Sequence, residues 1–195
     1  MNIRPALASA GLLLLAGCGA AAPTEPPPLA GAKIGGPFTL TDEDGRTRTE
    51  RDVASGWRVV YFGYTFCPDI CPTGARTIGV GLKRFEADDP ARGRRVTPLF
   101  VTIDPERDTP AALKAFTAAF HPRMLGLTGT EAQIDAVARS YGAYRSRGET
   151  SPGGGYLMDH SDQAYLMDPA GKPVALLPHD KGPDAVAAEL AKYVS

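Results

Sequence analysis

Two cysteines separated by three residues, Cys67 and Cys71 in YFGYTFCPDICPT (residues 61–73), are the side chains in this chain best suited to chemistry. As thiolates such a pair can attack a disulfide or hold a soft metal ion. The loop they would close as a disulfide is very short, and by loop-closure entropy so short a bridge adds little stability, which disfavours a purely structural role. Residues 59–64, just before them, form an apolar and aromatic run of strand length, as expected of a strand buried on both faces. After them Ile78, Leu82 and Phe85 recur at helical spacing, and Pro72 suits a first helical turn. The pair is therefore expected where a strand ends and a helix begins, a place where backbone N–H groups and the helix dipole lower a thiol pKa. The spacing alone is only moderately specific, because a metal site needs at least one more donor.

Three histidines are available. His121 ends an amphipathic helix before Pro122, where a histidine complements the dipole, so a structural role is expected. His179 lies in the polar connector PHDKG and is expected to be solvated. His160 follows a Gly-rich loop, precedes an apolar run and stands between Asp159 and Asp162, carboxylates that could orient a ligating imidazole. On its residues alone His160 reads equally as a ligand or as a hydrogen-bonded surface histidine.

The elements that must position these groups follow in order. Residues 1–17 carry one basic residue, Arg4, and an apolar stretch over 6–16 too short to span a bilayer, the proportions of a signal peptide. The stretch ends LAGC, which resembles a bacterial lipobox and implies cleavage before Cys18 and lipidation of that cysteine. Several acyl chains would anchor the protein stably on the extracytoplasmic, periplasmic side of a bacterial membrane. Residues 18–32 are small and Pro-rich and read as a tether, leaving residues 33–195 as one domain. Without residues 1–17 the chain has 178 residues and a net charge of −2. That balance excludes a basic field for collecting nucleic acid. With Cys18 lipidated, one close thiol pair remains, which is not a disulfide-rich scaffold.

Within the domain, residues 38–41 and 46–49 flank the cluster Asp42-Glu43-Asp44-Gly45, a hairpin signal whose acids lack the spacing of a calcium loop and read as a solvated turn. A second buried strand is expected over 99–103, with Pro98 at its entry. Thr109 and Pro110 then open a helix carrying Leu113, Phe116 and Phe120. Thr130 and Gln133 form a capping box for another helix, which Gly142 ends. A loop over 146–155, a hairpin over 164–177 and a helix after Pro183 complete the chain. This order specifies an α/β fold: a thioredoxin-like central mixed sheet flanked by helices, with an N-terminal β-hairpin extension and a helical insertion. In such sheets active groups collect at strand C-terminal ends, where Cys67, Cys71 and Asp104 all fall.

Taken together, YFGYTFCPDICPT, VTIDPERDTP (101–110) and DHSDQAYLMDPAGK (159–172) resemble the motifs of the Sco/SenC family of copper-binding proteins, over residues 33–194. The resemblance implies one copper, Cu(I) or Cu(II), held by Cys67, Cys71 and His160. It also implies a part in building the copper centre of cytochrome c oxidase, with the oxidase copper-site subunit or another copper carrier as partner. Asp104 matches an acidic family position, and Asp104 and Asp159 are expected in support of the ligands or on a docking surface. Two thiolates and an imidazole suit copper and would also accept zinc. The rival is a thiol-disulfide oxidoreductase that keeps the oxidase copper-site cysteines reduced, using Cys67 and Cys71 as its redox pair. A metallochaperone is the favoured reading over an enzyme. A peroxiredoxin would want threonine three residues before the attacking cysteine, where this chain has Tyr64.

Overall fold

A computed structural model describes residues 26–53 and 56–195. The proposed signal segment, Cys18 and residues 19–25 of the proposed tether lie outside the described residues. The fold is organised by β3 (Trp57–Gly63), all seven residues of which are buried. An earlier hairpin, β1 (Thr39–Asp42) and β2 (Thr47–Thr49), precedes it. From β3 the chain enters α1 (Ile70–Asp88), passes through the single turn α2 (Pro90–Gly93), and returns as β4 (Val96–Thr102) parallel to β3. Then come α3 (Pro110–Ala118), β5 (Leu125–Thr128) and α4 (Glu131–Tyr141). A small ladder of β6 (Arg145–Arg147) and β7 (Met158–His160) follows, then β8 (Ala164–Met167), β9 (Pro173–Leu176) and α5 (Pro183–Tyr193).

The main sheet runs β2-β1-β5-β4-β3-β8-β9. Its β4-β3-β8-β9 portion has two parallel strands beside two antiparallel ones, the expected thioredoxin-like mixed sheet, and β1–β2 extends it as the N-terminal hairpin. Because side chains alternate along a strand, β3 feeds two cores. Val60, Phe62 and Tyr64 face α4 residues Ile134, Val137 and Tyr141, and Val59 and Tyr61 face Ile78, Leu82 and Phe85 of α1 and Leu190 of α5. The capping box of α4 forms in full, with Gly142 left-handed at φ 64°.

The structure departs from the sequence expectations at several places. Pro98 lies within β4 rather than at its entry, and is tolerated there because pairing to β5 begins only at Leu99. The end of the expected tether is docked: residues 28–31 turn, Leu29 packs on the core, and its N–H donates to the Val174 carbonyl at 3.1 Å. Asp42 is buried, not solvated, accepting from Arg48 Nε at 2.7 Å and from the Asp44 and Arg46 amides. His121 is structural as expected, but for a different reason. It is buried with Nδ1 accepting from the Arg123 amide at 3.2 Å, and burial, not the helix dipole, dominates and lowers its pKa. A depressed folded-state pKa means that its contribution to stability is present above 6.5, the ordinary histidine value, and is lost as pH falls through the folded value. His121→Gln in metal-free protein is therefore expected to flatten the acid limb of stability below pH 6.5, followed by urea unfolding; an unchanged limb would remove His121 from that role.

Candidate metal centre

Cys67 and Cys71 sit between β3 and the first turn of α1. Cys67 donates its amide to the Tyr64 carbonyl at 3.2 Å, and the Cys71 amide, one helical turn on, donates to Cys67 Sγ at 3.4 Å. Cys71 has no exposed surface and Cys67 is 8% exposed. Gly63 makes the room: a Cβ there would stand 3.1 Å from Cys71 Sγ and 2.9 Å from the Phe100 ring. Both cysteines are free thiols.

His160 closes the group from the far side. It ends β7, opposite Arg145, and its Nε2 lies 3.3 Å from Cys71 Sγ. The donor atoms of Cys67, Cys71 and His160 all lie within 4.8 Å of one another, the only such cluster of three or more His, Cys, Asp or Glu donors among the described residues. The His160 Nδ1 contacts the Ser161 carbonyl at 2.8 Å. A carbonyl can only accept, so Nδ1 carries the proton and Nε2 presents its lone pair to the thiols, the tautomer that a metal ligand needs. The imidazole also stands edge-on to Tyr64, with centroids 5.8 Å apart.

The thiol chemistry differs from the sequence expectation. Instead of being lowered by the helix terminus, the Cys71 pKa is pushed up, chiefly by burial. A sulfur with no contact to water loses more by desolvation than helix N–H groups return, so the metal-free site holds Cys71 protonated. A bound cation would reverse that balance, because a metal-coordinated thiol is deprotonated outright.

The two acidic residues expected near the site do not touch its ligands. Asp159 precedes His160 on β7, so the two side chains point to opposite faces, and its exposed carboxylate makes no hydrogen bond or ion pair among the described residues. The Ser161 carbonyl fills the orienting role expected of a carboxylate. Asp104 is 2% exposed and so is not a docking surface. It pairs with Arg107 Nε and accepts from Tyr156 Oη at 2.9 Å. Arg107 in turn stacks 3.6 Å from the Tyr156 ring centroid and 4.9 Å from that of Phe66, so the Asp104 carboxylate lies behind this stack.

Two features escaped the sequence reading. Tyr64 Oη accepts from the Met158 amide at 3.2 Å and thereby fixes β7. His179 is not solvated: it packs edge-on to Tyr61, centroids 5.3 Å apart, with Nε2 3.2 Å from Asp162. No sequence signal announced the second pair: counting back from the 168–172 turn sets 162 opposite 178, and only the register shift between Leu166 and Met167 brings 162 opposite 179.

With the geometry in place, similarity to known proteins is informative. The family model described as SCO1/SenC matches residues 26–195. Protein SenC of Rhodobacter capsulatus is 44% identical over 161 residues, 81% of this chain and 69% of that one. A mitochondrial SCO2 homolog of Bos taurus is 44% identical over 136 residues, 70% of this chain but only half of the relative. Among solved structures, Bradyrhizobium japonicum ScoI with copper bound superposes with a TM-score of 0.74 at 38% identity, covering 82% of this chain and 99% of that one. On the family match and these identities, the chain belongs to the SCO1/SenC family.

Proposed function

We propose that this protein is a lipid-anchored extracytoplasmic copper carrier that binds one copper ion through Cys67, Cys71 and His160 and delivers it to the copper centre of cytochrome c oxidase. The observation that carries the reading is the convergence of two thiols and a correctly tautomerised imidazole within 4.8 Å. Two soft sulfur donors favour Cu(I), and the copper-bound state of the Bradyrhizobium relative supports copper over zinc. Three protein donors leave room for an incoming ligand, so cargo would pass to a partner by stepwise exchange. His160 stands at the least buried corner of the site and is the donor positioned to be exchanged first.

The test is anaerobic titration of the reduced full-length protein in detergent with Cu(I) against a competing chelator. One tight equivalent is expected, and weak or non-stoichiometric binding would sink the carrier reading. Because Cys71 is protonated in the metal-free protein, binding must release its proton. Affinity should rise with pH by about a factor of ten per unit for each proton displaced. A pH-independent affinity between 6 and 8, roughly the neutral range, would argue against thiolate coordination. The anchor has its own test: Cys18→Ser is expected to move the protein from the membrane to the soluble fraction, and retention at the membrane would overturn lipidation at Cys18.

A second reading, thiol-disulfide reductase acting on the oxidase cysteines, is supported by the contact between the Cys71 amide and Cys67 Sγ, which keeps the two sulfurs within one helical turn. In it Cys67, the more accessible sulfur, attacks the partner disulfide and Cys71 resolves the mixed disulfide with release of the partner thiol.

A further inference from the structure

We infer that Tyr61, Asp162 and His179 form a brace that fixes His160 against the cysteine helix and so sets how tightly and how long the site keeps its metal. The inference rests on the copper-carrier reading of the same site.

His160 belongs to a weak element. The β6–β7 ladder is two strands of three residues each, separate from the main sheet, and an isolated pair of strands is marginally stable. The distance from His160 to the cysteines therefore leans on ties to neighbouring elements. Among the described residues its partner strand is held through Arg145, whose Nε donates to the Ile103 carbonyl at 2.8 Å. The histidine itself is flanked by ties to Tyr61 of β3 and to Tyr64 just beyond it. Tyr64 Oη holds the Met158 amide, two residues before it. Tyr61 Oη donates to Asp162 Oδ1 at 2.7 Å, two residues after it, and lies 3.4 Å from the carbonyl of Ile70, the residue before Cys71. One hydroxyl thus stands between the segment carrying the imidazole and the turn carrying the thiol.

His179 supports that contact. Its Nδ1 donates to the Leu177 carbonyl at 3.2 Å, which turns Nε2 toward Asp162 Oδ1 at 3.2 Å, near enough for an ion pair though not aligned as a hydrogen bond. The helix is shaped to receive the cluster. At Gly74 a Cβ would fall 2.3 Å from Tyr61 Oη and 3.2 Å from His179 Cδ2, so α1 can approach only because that position has no side chain. None of the three residues is among the proposed ligands, which makes them positioning residues.

The test uses the full-length protein in detergent, reduced and anaerobic, comparing wild type, Tyr61→Phe, Asp162→Asn and His160→Ala singly and combined. Cu(I) affinity is read by chelator competition, release by the rate of transfer to excess chelator, and fold by thermal unfolding without metal. Tyr61→Phe keeps the buried ring and is expected to weaken copper binding about tenfold, with faster release, the lower end of what supporting contacts of metal ligands are worth. Asp162→Asn keeps an oxygen for Tyr61 to donate to but removes the charge facing His179. Because that support acts through the Tyr61 hydroxyl, combining the two variants should add little to Tyr61→Phe alone. In the His160→Ala background Tyr61→Phe should have no further effect, because the brace acts through His160. An equal loss in that background, or no loss in the wild-type background, would overturn the brace while leaving the copper site standing. Wild-type protein that fails to bind copper tightly would overturn the carrier reading itself, and the brace with it.

Discussion

His160→Ala is expected to weaken Cu(I) binding by about 100-fold or more, while reduction of a disulfide substrate by Cys67 and Cys71 stays within several-fold of wild type. Loss of a group that merely supports a metal ligand costs roughly 10–100-fold in affinity, so loss of the ligand itself should reach at least the upper end. His160 is one of three donors and the only nitrogen among them. Disulfide exchange, in contrast, needs thiols: attack by one sulfur, a mixed disulfide, and resolution by the other. The imidazole does lie 3.3 Å from Cys71 Sγ, so a modest slowing of the resolving step is expected. The two readouts are a chelator-competition isotherm and the rate of reduction of a model peptide disulfide, on one preparation of the variant. Equal collapse of both would show that His160 serves the thiols rather than a metal, and would move the assignment toward the reductase.

What the sequence revealed about this fold depended on how local the cause was. The box at Thr130 and Gln133 and the left-handed stop at Gly142 were readable because each is settled within a few residues. The strand β3 was readable because burial on both faces leaves an unbroken apolar run. β5, by contrast, is four residues with a glycine in it, and it becomes a strand only because β4 and β1 offer partners on either side. The β6–β7 ladder pairs across a loop whose Pro and Gly residues do mark a turn, but the polar β6, Arg145–Arg147, has no apolar alternation to announce a strand. The site divides in the same way. Cys67, Cys71 and His160 were identifiable as residues, but the Cys71 pKa was misjudged because the helix-terminus argument is local and burial is not: it depends on Gly63 and Phe100 arriving from neighbouring strands. Asp159 does not orient His160, because adjacency in sequence along a strand means opposite faces in space.

The second large effect is expected at Asp108, which is not itself a proposed ligand. Its carboxylate has no exposed surface and accepts from the Thr65 amide at 3.1 Å, from Thr65 Oγ1 at 2.6 Å and from Thr102 Oγ1 at 2.6 Å. Thr65 lies two residues before Cys67, so this one side chain ties the cysteine loop to the end of β4. Asp108→Ala would leave three donors without their acceptor, two on half-buried Thr65 and one on buried Thr102, at about 1–3 kcal/mol for each group that finds no water, and a total loss of stability of about 3 kcal/mol is expected. Asp108→Asn keeps one acceptor oxygen but turns an amide N–H toward the same donors, and should cost about 1–2 kcal/mol. Burial pushes the Asp108 pKa up, outweighing the hydrogen bonds that lower it. A raised folded-state value means that the associated stability is complete below the ordinary 3.8 and is lost as pH rises through the folded value, so the gap between wild type and Asn should widen toward acid. Urea unfolding of the metal-free proteins from mildly acid to neutral pH measures it. If the loop depends on this clamp, the Asn variant should also bind Cu(I) about tenfold more weakly, because Cys67 is no longer held where Cys71 and His160 can share an ion with it. An Asn variant that matched wild type in both stability and copper affinity would mean that the amide of Cys67 on Tyr64 is enough to hold the loop, and that Asp108 is buried for packing alone.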